Sequence, residues 1–196
     1  MSVRVEAWRA ALHGPPRSFA LDGEAFPVTG SWSCLLDRLR FEAWQRDVLY
    51  DLVDDASAGY LDDRLDDPGD SLTLRQMRRV AEGLVEAATG RRWWVAQKLI
   101  ASVADQWADL DGALLLRGVD LAALAAESPA RVCNLMHGLL VEGRDTRERD
   151  VFDFKLRQPP PWVDVRQVEI MSAEEQGAAY MAAMGGVRRG GPVSGP

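Results

Sequence analysis

Apolar residues recur every three or four positions along most of this chain, which is the spacing of one face of an α-helix. The clearest pattern predicts a helix over 74–89, with an apolar stripe of Leu74, Met77, Val80, Ala81, Leu84, Val85 and Ala88. Thr73 and Gln76 have the spacing of a capping box, and Gly90 suits the left-handed position after a helix end. The sequence therefore predicts a helix with defined ends and one core-facing side.

A second amphipathic pattern follows directly and predicts a helix over 92–110 that Gly112 ends. Two consecutive amphipathic helices joined by one glycine are typical of an αα-hairpin. We expect the interface between them to belong to the core. The candidate core residues are Trp93, Trp94, Leu99, Val103 and Trp107.

Shorter helical patterns lie on both sides of this hairpin. Apolar residues over 35–52 have helical spacing, with a break near residue 41. Asp120 can cap a short alanine-rich turn or helix. Ser128 is followed by proline, the order that opens a helix, and Thr146 is the predicted start of a last helix.

The first residues carry a different pattern. Val3, Val5 and Ala7 alternate with polar residues, which predicts a short strand. Asp22-Gly23 then separates two short apolar runs, a strong signal for a β-hairpin with a type I′ turn. The expected fold is mainly α: a helical bundle with a small N-terminal β-hairpin and a flexible C-terminal tail.

Three consecutive prolines close the predicted helical region. We expect residues 1–162 to form a mostly helical globular domain and residues 163–196 to form the tail, with a short helix over 172–184 and a disordered glycine-rich end. Met181 and Met184 lie on an alanine-methionine face of that helix. Such a face is adaptable, so both are candidate partner-binding residues; the alternative is that the helix folds back on the core.

Composition and charge restrict the class of protein. The chain has 196 residues, 47% of them apolar, which is enough to bury a core without disulfides. Its net charge of −7 argues against non-specific nucleic-acid binding. No apolar run approaches the roughly 20 residues that a membrane span needs. Cys34 and Cys133 lie in apolar stretches that suit buried thiols in the cytoplasm, although the sequence leaves a disulfide between them open.

Aspartates are concentrated between residues 54 and 70, a segment predicted to be a loop or a broken helix because it contains Gly59 and Pro68-Gly69. The spacing of a calcium loop is missing. A solvated acidic loop or a docking surface for a basic partner is favoured instead. The candidate partner-binding residues here are Asp62, Asp63, Asp66 and Asp67.

Catalytic and metal-binding motifs are missing from the sequence. His13 and His137 are far apart along the chain, and the two cysteines lack the spacing of a zinc site. No phosphate-binding glycine loop or nucleophile elbow is present. We expect a protein that is not an enzyme and that needs no cofactor or metal.

One part of the chain resembles a known family. The run over 74–107, centred on AATGRRWWVA at 87–96, is similar to tail assembly chaperones of siphophages that infect actinobacteria. The order of the other parts is also similar: FALDG at 19–23 comes first, and LLLRGVD at 114–120 follows the tryptophan-containing helices. The resemblance covers roughly residues 17–162.

This resemblance implies a function. Such chaperones bind the long tape measure protein and keep it soluble in the host cytoplasm until tail tube subunits polymerise around it. It also implies contacts with other copies of the chain or with a longer frameshifted product. The alternative is a structural virion protein, such as a head–tail connector or a tail completion subunit, which would be found in purified virions.

Overall fold

The computed structural model describes residues 3–163, except for the side chains of 3–7 and 108–109. It confirms a mainly α-helical fold with a small N-terminal β-hairpin. The elements are α1 (Val3–His13), β1 (Ser18–Leu21), β2 (Glu24–Pro27), α2 (Cys34–Arg38), α3 (Trp44–Leu52), α4 (Asp55–Asp66), α5 (Leu74–Thr89), α6 (Trp93–Ala104), α7 (Trp107–Leu116), α8 (Leu121–Glu127), α9 (Pro129–Val141) and α10 (Thr146–Arg157). The predicted tail helix over 172–184, with Met181 and Met184, lies outside the described residues.

The β-hairpin forms as predicted. β1 and β2 pair antiparallel, and Phe19 lies opposite Phe26 with the two rings stacked 5.4 Å apart. The turn residues Asp22 and Gly23 have φ values of 52° and 84°, and positive φ at both positions is what a type I′ turn requires. β1 packs on α5, so the buried side of this small sheet joins the helical core.

Helix α5 lies at the centre of the core and has the predicted bounds. The Thr73 hydroxyl accepts from the Gln76 N–H, and the Gln76 side chain accepts from the Thr73 N–H, which completes the capping box. Gly90 ends the helix with φ 63°. α5 packs against α1, α3, α6 and α9, and Trp44 of α3 meets Trp93 of α6 with ring centroids 5.9 Å apart.

The prediction of a strand near the N-terminus is wrong, because Val3–His13 forms helix α1. A strand at this position would need a neighbouring strand for its backbone hydrogen bonds, and the sheet consists of β1 and β2 alone in the described residues. A helix satisfies its backbone internally. α1 packs on α5 and α9, and Gly14, with φ 73°, follows its end.

The prediction of one helix over 92–110 is wrong in its second half. The chain leaves helical geometry at Gln106, where φ is −115° and ψ is 22°, and α7 then begins at Trp107 and includes Gly112. The break moves Trp107 out of the apolar stripe of α6, so its side chain is 45% exposed and is not a core residue. The other candidate core residues are buried as expected: Trp93, Trp94, Leu99 and Val103.

The acidic segment is also more regular than predicted. Asp55–Asp66 forms one continuous helix, α4, which includes Gly59. The Asp54 carboxylate caps its start by accepting from the Ser57 N–H at 2.7 Å. Buried Leu61 anchors the helix. Capping and one buried apolar contact outweigh the cost of a single exposed glycine, about 1 kcal/mol.

The shorter helices follow their sequence signals. The predicted break near residue 41 separates α2 from α3, and α9 and α10 begin where predicted. The Asp120 carboxylate caps α8 by accepting from the Ala123 N–H at 3.0 Å.

Contacts divide the chain into two units, Met1–Arg157 and Gln158–Pro196. Folding of residues 1–162 without the tail stays a prediction.

Candidate functional site

The end of helix α7 carries the two most exposed large apolar side chains among the described residues of the unit Met1–Arg157, Leu115 and Leu116. Trp107, Leu115 and Leu116 are 45%, 67% and 91% exposed, and we call these three residues the α7 surface. Leu114, between them, is buried and anchors the helix. α7 is rich in apolar residues, which is typical of a helix inside a protein, yet Trp107, Gly112, Leu115 and Leu116 are exposed among its eight described side-chain positions.

The exposed end of α7 has a defined backbone. Gly118, with φ 69°, follows the helix, and its N–H donates to the Leu115 carbonyl oxygen at 3.0 Å. The N–H of Val119 donates to the Leu114 carbonyl oxygen, also at 3.0 Å. This pair of bonds is the Schellman arrangement that closes a helix on a left-handed glycine. The exposure of Leu115 and Leu116 is therefore a feature of the folded helix end.

The predicted acidic surface is partly used inside the chain. The carboxylate of Asp62 accepts from the Arg46 guanidinium at 2.8 Å and from the Tyr50 hydroxyl. The carboxylate of Asp67 accepts from the Gly69 N–H at 2.8 Å. Asp63 and Asp66 are exposed. Partner binding by these four aspartates stays a prediction, and two of them already have intramolecular partners.

Arg64 holds a second charged cluster, which joins three parts of the fold. Its guanidinium donates to the Asp22 carboxylate at 2.5 Å and to both oxygens of Asp70 at 2.8 and 2.7 Å. These bonds connect the hairpin turn to α4 and to the segment that leads into α5. The same bonds raise the pKa of Arg64 and lower that of Asp70 to about 2. Because the Arg64 guanidinium bonds carboxylates from two other parts of the chain, the cluster ties these parts of the fold together.

The two cysteines have no features of a reactive site. Both are free thiols, and burial raises the pKa of Cys34 to about 12 and that of Cys133 to about 11. Thiols with raised pKa values are poor nucleophiles near neutral pH. His137 is partly exposed, and its Nε2 lies 2.7 Å from the Asp153 carboxylate. Among the residues that the structure describes, no group of three His, Cys, Asp or Glu side chains is arranged to hold a metal ion.

The α7 surface was missed by sequence reasoning because 92–110 was expected to be one helix with Trp107 in its core face. The available signal was the run of leucines over 114–116 directly before Gly118. Three consecutive leucines point in three directions from a helix, so one neighbouring element cannot bury them all. Burying all three would take neighbours on several sides of the helix, and the fold leaves Leu115 and Leu116 exposed.

Comparisons with known proteins do not assign a family or a function to the chain. No family model, curated protein or solved structure matches the chain. Of the helices in the described region, none is both long and apolar enough to cross a membrane. What the fold and the surface define is a mainly α-helical protein with an exposed apolar helix end.

Proposed function

We propose that this protein is a non-enzymatic binding protein whose α7 surface receives an apolar helical segment of a partner protein. The observation that carries the proposal is the exposure of the adjacent Leu115 and Leu116 at the end of α7, on a helix that also exposes Trp107 at its start. Leu115 and Leu116 are adjacent, and an exposed apolar patch is typical of a protein-binding surface. Trp107 lies at the other end of α7, about 12 Å along the helix axis, and adds an aromatic side chain of the kind that is enriched at interfaces.

The partner that we propose is a phage tape measure protein, with this chain as its tail assembly chaperone in the host cytoplasm. The resemblance of residues 17–162 to such chaperones supplies this identity. A long client that forms coiled coils exposes an apolar seam before assembly, and the seam aggregates unless it is covered. A small apolar surface suits that task, because each contact has to be weak enough to reverse when the tail tube forms.

Co-expression with the tape measure protein of the same phage tests the proposal. We expect the client to be insoluble alone and soluble with this chain, and to be recovered with several copies of it. The test variant is Leu115→Ser/Leu116→Ser. Burying two leucines contributes about 3–5 kcal/mol, so the variant should bind at least about a hundredfold more weakly.

The matched control is Leu12→Ser/Leu74→Ser, which removes two leucines that are 57% and 62% exposed elsewhere on the chain. The control should bind the client like the unaltered protein. If both double variants bind equally well, α7 is not the binding surface. Mass spectrometry of purified virions tests the chaperone role separately, because a chaperone is missing from virions. If the protein is found in virions in stoichiometric amounts, it is a structural virion protein and not a chaperone.

A further inference from the structure

A shallow groove lies along α10 and the turn that precedes it, apart from the α7 surface. It is lined by Arg144, Arg147, Glu148, Val151, Phe152 and Lys155. Along α10, Arg147, Val151 and Lys155 are four residues apart and therefore lie on one face of the helix. The two cations are separated by about 12 Å along the helix axis, at 1.5 Å per residue. The groove is thus an apolar floor with a positive charge at each end.

The opposite side of α10 is fixed to the core. Leu156 is buried, and the Asp153 carboxylate lies 2.7 Å from His137 Nε2 on α9. The Trp94 indole N–H on α6 donates to the carbonyl oxygen of Arg157 at 3.2 Å. The Lys98 ammonium donates to the carbonyl oxygen of Lys155 at 3.0 Å. The groove is therefore presented by a helix whose position is set by its other face.

The cations of the groove are not neutralised by carboxylates of the described chain. Arg144, Arg147 and Lys155 form no ion pair with the side chains that the structure describes between residues 8 and 163. The Arg144 guanidinium lies over the Phe152 ring, 4.6 Å from its centre. Glu148 is the acidic residue of the lining, and its carboxylate already accepts from the Asp145 N–H at 3.2 Å in the cap of α10.

We propose that this groove docks an acidic amphipathic helix of a partner protein. Two carboxylates about two turns apart on that helix would meet Arg147 and Lys155, and the apolar residues between them would cover Val151. The charge of the groove favours an acidic partner: the chain has a net charge of −7, yet three cations and one acid line this groove. Opposite charges across an interface steer the encounter and fix the orientation of the partner.

A carboxylate-bearing helix fits this groove better than a phosphate does. The first turn of α10 is already capped, because the Asp145 carboxylate accepts from the Glu148 N–H at 2.8 Å. The cap therefore occupies one of the backbone donors at which a phosphate would bind, and it adds negative charge there. The floor of Val151 and Phe152 suits aliphatic side chains. A nucleic acid would also need a wider positive field than this acidic chain provides.

The test uses the full chain and two fluorescent helical peptides of about 18 residues, a length that supports helix formation. One peptide carries two glutamates seven positions apart with leucines between them, and the other has glutamine in place of both glutamates. We expect the glutamate peptide to bind at low salt and to weaken at about 0.5 M NaCl, where surface charges are screened. The glutamine peptide should bind about tenfold more weakly or worse.

The variant Arg147→Glu/Lys155→Glu should lower the affinity for the glutamate peptide at least about tenfold, since both end contacts become repulsive. The variant Arg147→Gln/Lys155→Gln should show a smaller loss in the same direction, and it avoids placing an acid in the last turn of α10. The control Arg17→Glu/Arg75→Glu changes the net charge by the same amount at two other exposed arginines and should bind normally. Thermal melts of all variants confirm that they are folded.

Three results would overturn the proposal. They are equal binding of both peptides, an equal loss in the Arg17→Glu/Arg75→Glu control, and tighter binding of a single-stranded oligonucleotide than of the glutamate peptide. The groove and the α7 surface are distinguished by Leu115→Ser/Leu116→Ser. That variant should keep its affinity for the glutamate peptide, so the two proposals can fail separately.

Discussion

Gly30 lies against the end of α3, where there is no space for a side chain. The N–H groups of Thr29 and Gly30 both donate to the carbonyl oxygen of Leu52, at 2.9 and 3.1 Å, so the loop after the hairpin caps the helix. A Cβ atom added at Gly30 would lie 1.8 Å from the backbone oxygen of Asp51. Because the obstacle is backbone, it cannot move aside as a flexible side chain would. We expect Gly30→Ala to destabilise the fold.

The size of the effect follows from these distances. An ordinary contact begins at 3.4 Å, so the loop and the helix end would have to separate by about 1.6 Å. That movement breaks both hydrogen bonds to Leu52, each worth about 1 kcal/mol net, and leaves an overpacking strain of about 1–3 kcal/mol. The expected loss is about 3–5 kcal/mol. For a domain of this size the Tm should fall by about 6–20 °C.

The matched control is Gly83→Ala in the interior of α5. A Cβ atom at Gly83 would meet nothing within 4 Å, and alanine is the better helix former by about 0.5–1 kcal/mol. The same substitution should thus raise the stability at one site and lower it at the other. Urea unfolding followed by circular dichroism measures both variants. If Gly30→Ala unfolds at the same urea concentration as the unaltered protein, the described approach of the loop to α3 is wrong.

Three further perturbations test the fold. The bonds to Arg64 lower the pKa of Asp70, so the stability that its carboxylate contributes is present above about pH 4 and is lost as the pH falls towards about 2. The stability of Asp70→Asn, measured by urea unfolding, should therefore depend less on pH over that range. Trp94→Ala should cost about 3–5 kcal/mol, and Trp107→Ala should cost about 1–2 kcal/mol because Trp107 is only about half buried. Equal losses in this assay would contradict the break before α7. A chain that ends at Val163 should be soluble and melt in one cooperative transition, and its aggregation would show that the tail completes the core.

Local signals made some elements predictable from the sequence. The capping box at Thr73, the apolar stripe and Gly90 all act within a few residues of α5, so its bounds could be read without knowledge of its neighbours. The same holds for the hairpin, because Asp22-Gly23 determines the turn through the φ values that it allows.

Tertiary packing decided the elements that the sequence did not predict. The break between α6 and α7 has no proline or glycine at Asp105 or Gln106, so periodicity alone continues the helix through it. The α10 groove combines Arg144 from the preceding turn with a face of the helix, and its charge depends on which carboxylates are already paired. Such pairing cannot be read from the sequence. The aspartates of the acidic segment were expected to be available to a partner, yet the Asp62 carboxylate is bonded to Arg46.

The exposed leucines of α7 offer a last and separable prediction. Leu115 and Leu116 are mostly surrounded by solvent, so replacing both with serine removes little buried apolar area, and the Tm should change by less than about 3 °C. An exposed apolar cluster favours self-association, which the net charge of −7 opposes by repulsion. A protein selected only for stability and solubility would gain from serine at both positions. If Leu115→Ser/Leu116→Ser keeps its Tm and loses its client, the leucines serve binding; if the Tm falls by about 8 °C or more, they pack inside the protein and the α7 surface is not a free one.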